Sequence, residues 1–304
     1  MSKTNTAASK QKANPSSFHG KKGLTDMLLA SVLFSLMNAC VYAVRFYDNE
    51  MPASMVSFVR VLSNLLLLIL PALYCRNLVS LYGDRRPSLW LRGLFGSTAL
   101  MLSFAAISRI GPGESAFLTA TSGVFVVLLG PWVLGQKNTW LVWLAILGSF
   151  AGAALLFKPD GHGMDLMGRA MALISGFLSA LAYLMVARAG RSNAPRSVIF
   201  YFCVVAVLLH VLYFAKFGFQ LPYKPKIWGL LLLIGVLGSG AQFCMTRAYQ
   251  AAPAALVSAV AYLAPVLSLV WGFAFFAQWP GQNALVGSLL ILIFGVVLPF
   301  IRKL

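Results

Sequence analysis

Ten stretches of the chain are almost entirely apolar, and the polar residues gather between them. The runs fall near 24–44, 54–73, 88–108, 115–133, 139–157, 167–187, 197–215, 227–248, 254–276 and 283–301. Each approaches the roughly 20 residues an α-helix needs to cross a hydrocarbon core about 30 Å thick. At that depth no water satisfies the backbone, so every run is predicted to be a helix. Residues 1–22 precede the first run and are rich in Lys, Ser, Asn, Thr and Ala, with almost nothing to bury. They are expected to form a disordered cytoplasmic tail. A signal peptide is the rival reading, but the following run is long and lacks a small-residue cleavage site.

Composition turns ten apolar runs into a membrane protein. Of 304 residues, 60% are hydrophobic and 10% are charged, and mean hydropathy is +0.82. A soluble domain carries about 25% charged residues. So few charges cannot cover an aqueous surface, and the bilayer becomes the solvent. The 24 Lys and Arg against 7 Asp and Glu give a net charge of +17. On a soluble protein that balance would suggest nucleic acid. Here the charges sit at the ends of apolar runs, and no basic soluble module accompanies them. The positive-inside rule explains them better. With the N terminus inside, fifteen Lys and Arg fall on the inner side and seven on the outer, the 216–226 connection running against the trend. The expected location is a bacterial inner membrane, crossed many times, with both termini cytoplasmic.

The two halves echo each other. Gly93-Leu94-Phe95-Gly96-Ser97 returns as Gly235-Val236-Leu237-Gly238-Ser239, an offset of 142. The same offset carries Ala106 to Ala248, Val124 to Val266, Gly130 to Gly272 and Gln136 to Gln278. Offsets of 143 and 144 carry Pro52 to Pro195, Ser31 to Ser175 and Ser35 to Ser179. Five runs per half is an odd number, so the second half must cross the membrane upside down. The fold expected is an all-α integral membrane protein of about ten transmembrane helices in two inverted five-helix repeats, 23–158 and 165–304. Inverted repeats with a site between them are a transporter architecture.

Certain segments carry a family resemblance. They are Pro52 through Arg60, Gly111-Pro112-Gly113-Glu114-Ser115-Ala116-Phe117-Leu118, Ala248-Tyr249-Gln250-Ala251-Ala252-Pro253-Ala254 and Tyr262-Leu263-Ala264-Pro265-Val266. On these the chain resembles the drug/metabolite transporter superfamily, its EamA-type branch in particular, over about residues 24–301. The family usually has Gly-Glu at the ends of the fourth and ninth spans; here those positions hold Gly135-Gln136 and Ala277-Gln278. Both departures remove a carboxylate. The resemblance implies a secondary carrier for a small polar metabolite, an amino acid or related compound, moved by export or exchange. The alternatives are a carrier for a nucleotide-type or lipid-linked substrate and, from another class, a non-transporting scaffold or channel.

Polar residues inside the runs are the candidate site. Arg60 lies well inside the second run, where a charge is expensive and points to function. It could draw a carboxylate or phosphate, or hold helices together as a structural group. Ser31, Ser35, Asn38 and Tyr42 share one helical face of the first run, and Ser175, Ser179 and Tyr183 do so in the sixth. The eighth offers Ser239, Gln242, Thr246 and Tyr249 or Gln250, and the ninth Ser258 and Tyr262. The expected substrate-binding residues are Asn38, Tyr42, Arg60, Ser97, Ser179, Tyr183, Ser239, Gln242 and Tyr262. Ser31, Ser175, Gly93 and Gly235 are read as small packing residues. Phe104, Phe117, Phe243 and Trp271 are expected to fill packing or lipid-facing surface.

Other chemistry finds no foothold. The carboxylates Asp26, Asp48, Glu50, Asp84, Glu114, Asp160 and Asp165 all lie in connections or at run edges, leaving no evident ion relay. His19 and His162 lie outside the runs, and His210 is expected to be a satisfied packing histidine. Cys40, Cys75, Cys203 and Cys244 show no metal or disulfide spacing. No nucleophile elbow or phosphate loop occurs. The chain is expected to be no enzyme, to need no metal or cofactor, and to bind no nucleic acid. Its expected partners are a small-molecule substrate and the lipid bilayer, with oligomeric state left open.

Overall fold

The computed structural model describes residues 20–110, 115, 118–156, 165–277, 279 and 281–297. The expected tail up to residue 19, Glu114, Phe117, Asp160, His162 and Gln278 lie outside these residues. The described residues hold helices and no strand. They are α1 (Gly20–Tyr47), α2 (Ala53–Tyr74), the single turn α3 (Val79–Tyr82), α4 (Pro87–Ile110), α5 (Ser122–Leu134) and α6 (Trp140–Leu156). There follow α7 (Leu166–Ala189), α8 (Pro195–Phe217), α9 (Pro225–Ala251), α10 (Ala254–Ala261), α11 (Leu263–Phe276) and α12 (Gln282–Leu290), which runs on as π-helical Ile291–Val297.

Helix ends follow local chemistry. Pro195 and Pro225 open α8 and α9 at their first turns, where the missing N–H would have no helical partner anyway. Asp165 accepts a hydrogen bond from the Gly168 amide at 3.0 Å and caps α7. Gly135 ends α5 at φ +69°, a left-handed turn that glycine adopts without penalty.

Seven segments are long and apolar enough to cross a membrane: Lys21–Val44, Ala53–Tyr74, Pro87–Ala106, Leu166–Ala189, Pro195–Phe217, Pro225–Ala251 and Ala254–Phe276. Three shorter apolar helices, Leu118–Leu134, Trp140–Leu155 and Leu285–Val297, occupy the fourth, fifth and tenth predicted runs. Large apolar side chains stand exposed along the outside, among them Leu66 and Leu70 of α2, Leu208 and Leu212 of α8, and Leu232 of α9. Such a surface suits hydrocarbon and not water.

The bundle is organised around two close helix pairs, α1 with α9 and α4 with α7. α2 packs on α9 and α8, α4 also on α8, and α6 on α12. Glycines set the closest approaches. A Cβ on Gly93 would come within 2.9 Å of the Tyr201 carbonyl oxygen of α8, and one on Gly235 would collide with Ser63 of α2. Ser175 donates to the Ala99 carbonyl at 2.8 Å, stapling α7 to α4. Gly93, Gly235 and Ser175 thus do the packing work expected of them. His210 is held by Ser57 at 3.1 Å and the Ala206 carbonyl at 2.7 Å, as a satisfied packing histidine should be.

Two predicted spans are broken rather than continuous. The fourth run interrupts its helix at Thr121, and the ninth turns at Tyr262 between α10 and α11. Three residues past Tyr262, Pro265 has no N–H to offer the Ala261 carbonyl one turn back. The two breaks meet: the Tyr262 hydroxyl donates to the Ala120 carbonyl at 2.6 Å.

One end of the bundle carries a polar network. Ser192 donates to Asp84 Oδ2 at 2.6 Å, the Asp84 amide donates to Asn193 Oδ1 at 2.9 Å, and Arg86 Nε pairs with Asp84 Oδ2 at 3.2 Å. Arg191 reaches the Leu134 carbonyl at 2.7 Å. These contacts tie the 75–86 connection and the end of α5 to the turn between α7 and α8. The Ser192 hydrogen bond, helped by Asn193 and Arg86, holds the Asp84 carboxyl below its usual range against a smaller opposing effect of burial.

A candidate substrate cavity between the helices

Most helices of the bundle enclose a cavity of about 430 Å³. That volume lies within the range of small-molecule sites. Its wall is mainly apolar, with Met27, Met37, Val56, Ile234 and Met245 among the liners. The two helix breaks also form part of it, through Thr119, Ala120 and Ser122 on one side and Ala261, Tyr262, Ala264 and Pro265 on the other.

Into this wall the helices project a limited set of polar groups. α1 supplies Asn38, α2 Arg60, α4 Arg92 and Ser103, α7 Ser179 and Tyr183, α9 Gln242 and Tyr249, and α10 Ser258. Tyr183 and Tyr249 stack with ring centroids 4.9 Å apart and planes 11° from parallel. The Tyr249 hydroxyl lies 2.9 Å from Ser258 Oγ. The Arg60 guanidinium sits over the Phe34 ring at 5.6 Å, and that of Arg92 over Phe202 at 4.5 Å. Neither arginine makes an ion pair among the described residues. Arg92 Nε, Gln242 Nε2 and Thr119 Oγ1 are buried without a hydrogen-bond partner.

Six of the nine expected residues come together here: Asn38, Arg60, Ser179, Tyr183, Gln242 and Tyr262. Three do not line the cavity. Tyr42 is exposed and lies edge-on against Phe276, with centroids 4.7 Å apart. Ser97 donates to the Phe202 carbonyl at 3.3 Å, bridging α4 to α8. Ser239 bonds back to Gly235 in its own helix at 2.7 Å. Of the aromatics, Phe104 joins the lining, while Trp271 donates to Ser35 Oγ at 2.9 Å and stacks on Phe275.

Sequence reasoning missed Ser103, Thr119, Ser122 and, the one charged residue among them, Arg92. Arg92 stands at the start of the third run, where a charge reads as one of the fifteen on the inner side, yet only 3% of it is exposed. A signal was available: Gly96 stands one turn on, and a Cβ there would collide with the Arg92 guanidinium. No group of three or more His, Cys, Asp or Glu comes together among the described residues.

Comparison with known proteins fits this arrangement. The model of the EamA-like transporter family matches the chain twice, over residues 21–158 and 166–300. The chain belongs to the EamA-like transporter family. This EamA-like chain is 29% identical over 283 residues to a protein named pseudopaline exporter CntI, from Pseudomonas aeruginosa strain UCBPP-PA14. The match covers 93% of this chain and 98% of that one. It is 26% identical over 284 residues to human solute carrier family 35 member G1, covering 88% of this chain and 76% of the relative. A solved crystal structure shares the fold with a TM-score of 0.78 at 18% identity, over 91% of this chain and 96% of the other. These relatives place the chain among multi-pass membrane transporters of the drug/metabolite transporter superfamily.

Proposed function

We propose that this EamA-like transporter is a secondary carrier that moves a small polar metabolite by alternating access. The observation carrying this is the cavity of about 430 Å³, into which at least six helices project polar side chains. A scaffold would gain nothing from buried polar groups facing an open space, since each lacks water and costs stability.

The reading includes ten spans in two inverted halves, 23–158 and 165–304. Several observations support it. The family model matches once in each half. Exchanging the first five predicted runs for the last five turns the α4–α7 contact into α9–α1, and α4–α8 into α9–α2. Ion pairs follow the same exchange. Arg109 of α4 meets Asp165 at the start of α7 at 3.2 Å, and Arg247 of α9 meets Asp26 of α1 at 3.3 Å. In an inverted pair of repeats these bonds lie at opposite faces of the membrane. The Lys and Arg bias supports cytoplasmic termini in a bacterial inner membrane.

No Asp or Glu lines the cavity among the described residues, so an exchanger or facilitator is expected. The test is counterflow in proteoliposomes loaded with candidate metabolites chosen by thermal-shift screening. Counterflow should persist after ionophores collapse the pH and Na⁺ gradients. Its complete loss under ionophore would show an ion-coupled carrier, and the absence of exchange for every stabilising compound would contradict the carrier reading.

A further inference from the structure

We infer that the cavity is built for an anion carrying at least two acid groups, held between Arg60 and Arg92. The inference rests on the carrier reading and names the substrate class for the same site.

Both guanidiniums line one cavity, and no carboxylate joins them among the described lining residues. Each rests against an aromatic face, Phe34 for Arg60 and Phe202 for Arg92. A ring face offers a cation only a weak attraction. Two like charges held in a space of low dielectric repel each other, and each has given up part of its hydration. Arg92 cannot escape toward water by extending, because 97% of it is already covered.

Hydrogen-bonding capacity has the same sign as the charge. Arg92 Nε, Gln242 Nε2 and Thr119 Oγ1 lack partners, and all three line the cavity. Each can donate, and a guanidinium can do nothing else. A ligand that satisfies them must bring acceptors and negative charge. Carboxylate or phosphate oxygens do both, and arginine takes them in a two-pronged grip. One acid group would leave the second arginine uncompensated; two neutralise both. The arginines stand on α2 and α4, and Phe202 behind Arg92 belongs to α8. An anion bridging them would therefore link three helices, which couples binding to their arrangement.

The test uses the purified full-length protein and a five-carbon series: glutarate, monomethyl glutarate, glutaramide and cadaverine, with citrate and AMP as larger anions. Thermal stabilisation gives affinity, and counterflow in proteoliposomes gives transport. At least one of glutarate, citrate and AMP should stabilise and exchange, with glutaramide and cadaverine inert. Monomethyl glutarate should bind more weakly than glutarate. Arg92→Gln and Arg60→Gln should each weaken the dianion by about tenfold or more while changing monoester binding little. Should the Gln variants fail to fold, Arg60→Lys and Arg92→Lys carry the same comparison, since they keep charge and lose the fork. Preferential stabilisation by glutaramide or cadaverine would overturn the proposal, as would unchanged dianion affinity in well-folded arginine variants. Exchange of neutral or cationic compounds without any acid would overturn it and leave the carrier reading standing. No exchange of any compound would remove both.

Discussion

At the scale of single residues, Tyr262 and Asp84 make the clearest commitments. Tyr262 is 4% exposed, and its hydroxyl donates to the Ala120 carbonyl where two broken helices meet. Tyr262→Phe keeps the ring and leaves that carbonyl without its donor. Stability should fall by about 1–3 kcal/mol, read from unfolding of the purified protein in detergent. A variant as stable as wild type would show that the hydroxyl holds nothing together. Asp84 makes a pH-dependent commitment. Its carboxyl is held below the usual range chiefly by the Ser192 hydroxyl. A depressed folded value means the stabilisation is present above the ordinary carboxylate value, near pH 4. It is lost as pH falls through the depressed value. The melting-temperature gap between wild type and Asp84→Asn should therefore shrink below about pH 4; a gap constant with pH would contradict this. Arg60 was legible in the sequence because it interrupts an apolar run. Arg92 was not, because it sits in the first two turns of α4, where hydropathy reads a connection charge. Its guanidinium rests against the ring of Phe202, a residue far along the chain. Tyr42 shows the opposite failure. Spacing placed it on the same face as Asn38, but only a packed neighbour decides how far along a face the cavity extends.

At the scale of elements, the repeated glycines show how sequence matches become geometry. Gly93 lets α4 approach α8, and Gly235 lets α9 approach α2. Gly93→Leu and Gly235→Leu should each destabilise by about 1–3 kcal/mol, the range for overpacking. Gly130 is the control, because a Cβ there meets nothing within 4 Å, and Gly130→Ala should match wild type or exceed it. Equal behaviour of all three variants in thermal unfolding would remove the packing argument. The ten apolar runs were legible because each is a stretch of mostly hydrocarbon-compatible residues about as long as a membrane span needs. The breaks at Thr121 and Tyr262 were not. Averaged hydropathy passes over a kink that leaves composition unchanged. Pro265 was in plain view, yet it could only be read as a break once the Ala261 carbonyl and the cavity beside it were known.

At the scale of the whole molecule, carriage by alternating access requires a central cavity that opens to one face at a time. The decisive measurement is thiol labelling of Ser179→Cys in a protein whose Cys40, Cys75, Cys203 and Cys244 have been replaced. Ser179 lines the cavity, and a membrane-impermeant maleimide can reach it only through an open path. In vesicles of known orientation, labelling should proceed from either face. A cross-link between cysteines placed at Asp84 and Ser192, which meet at 2.6 Å across one end of the bundle, should then abolish labelling from that face and preserve it from the other. Labelling from neither face before cross-linking would mean a closed scaffold. Undiminished labelling from both faces after cross-linking would mean an open pore, and either result would contradict the account.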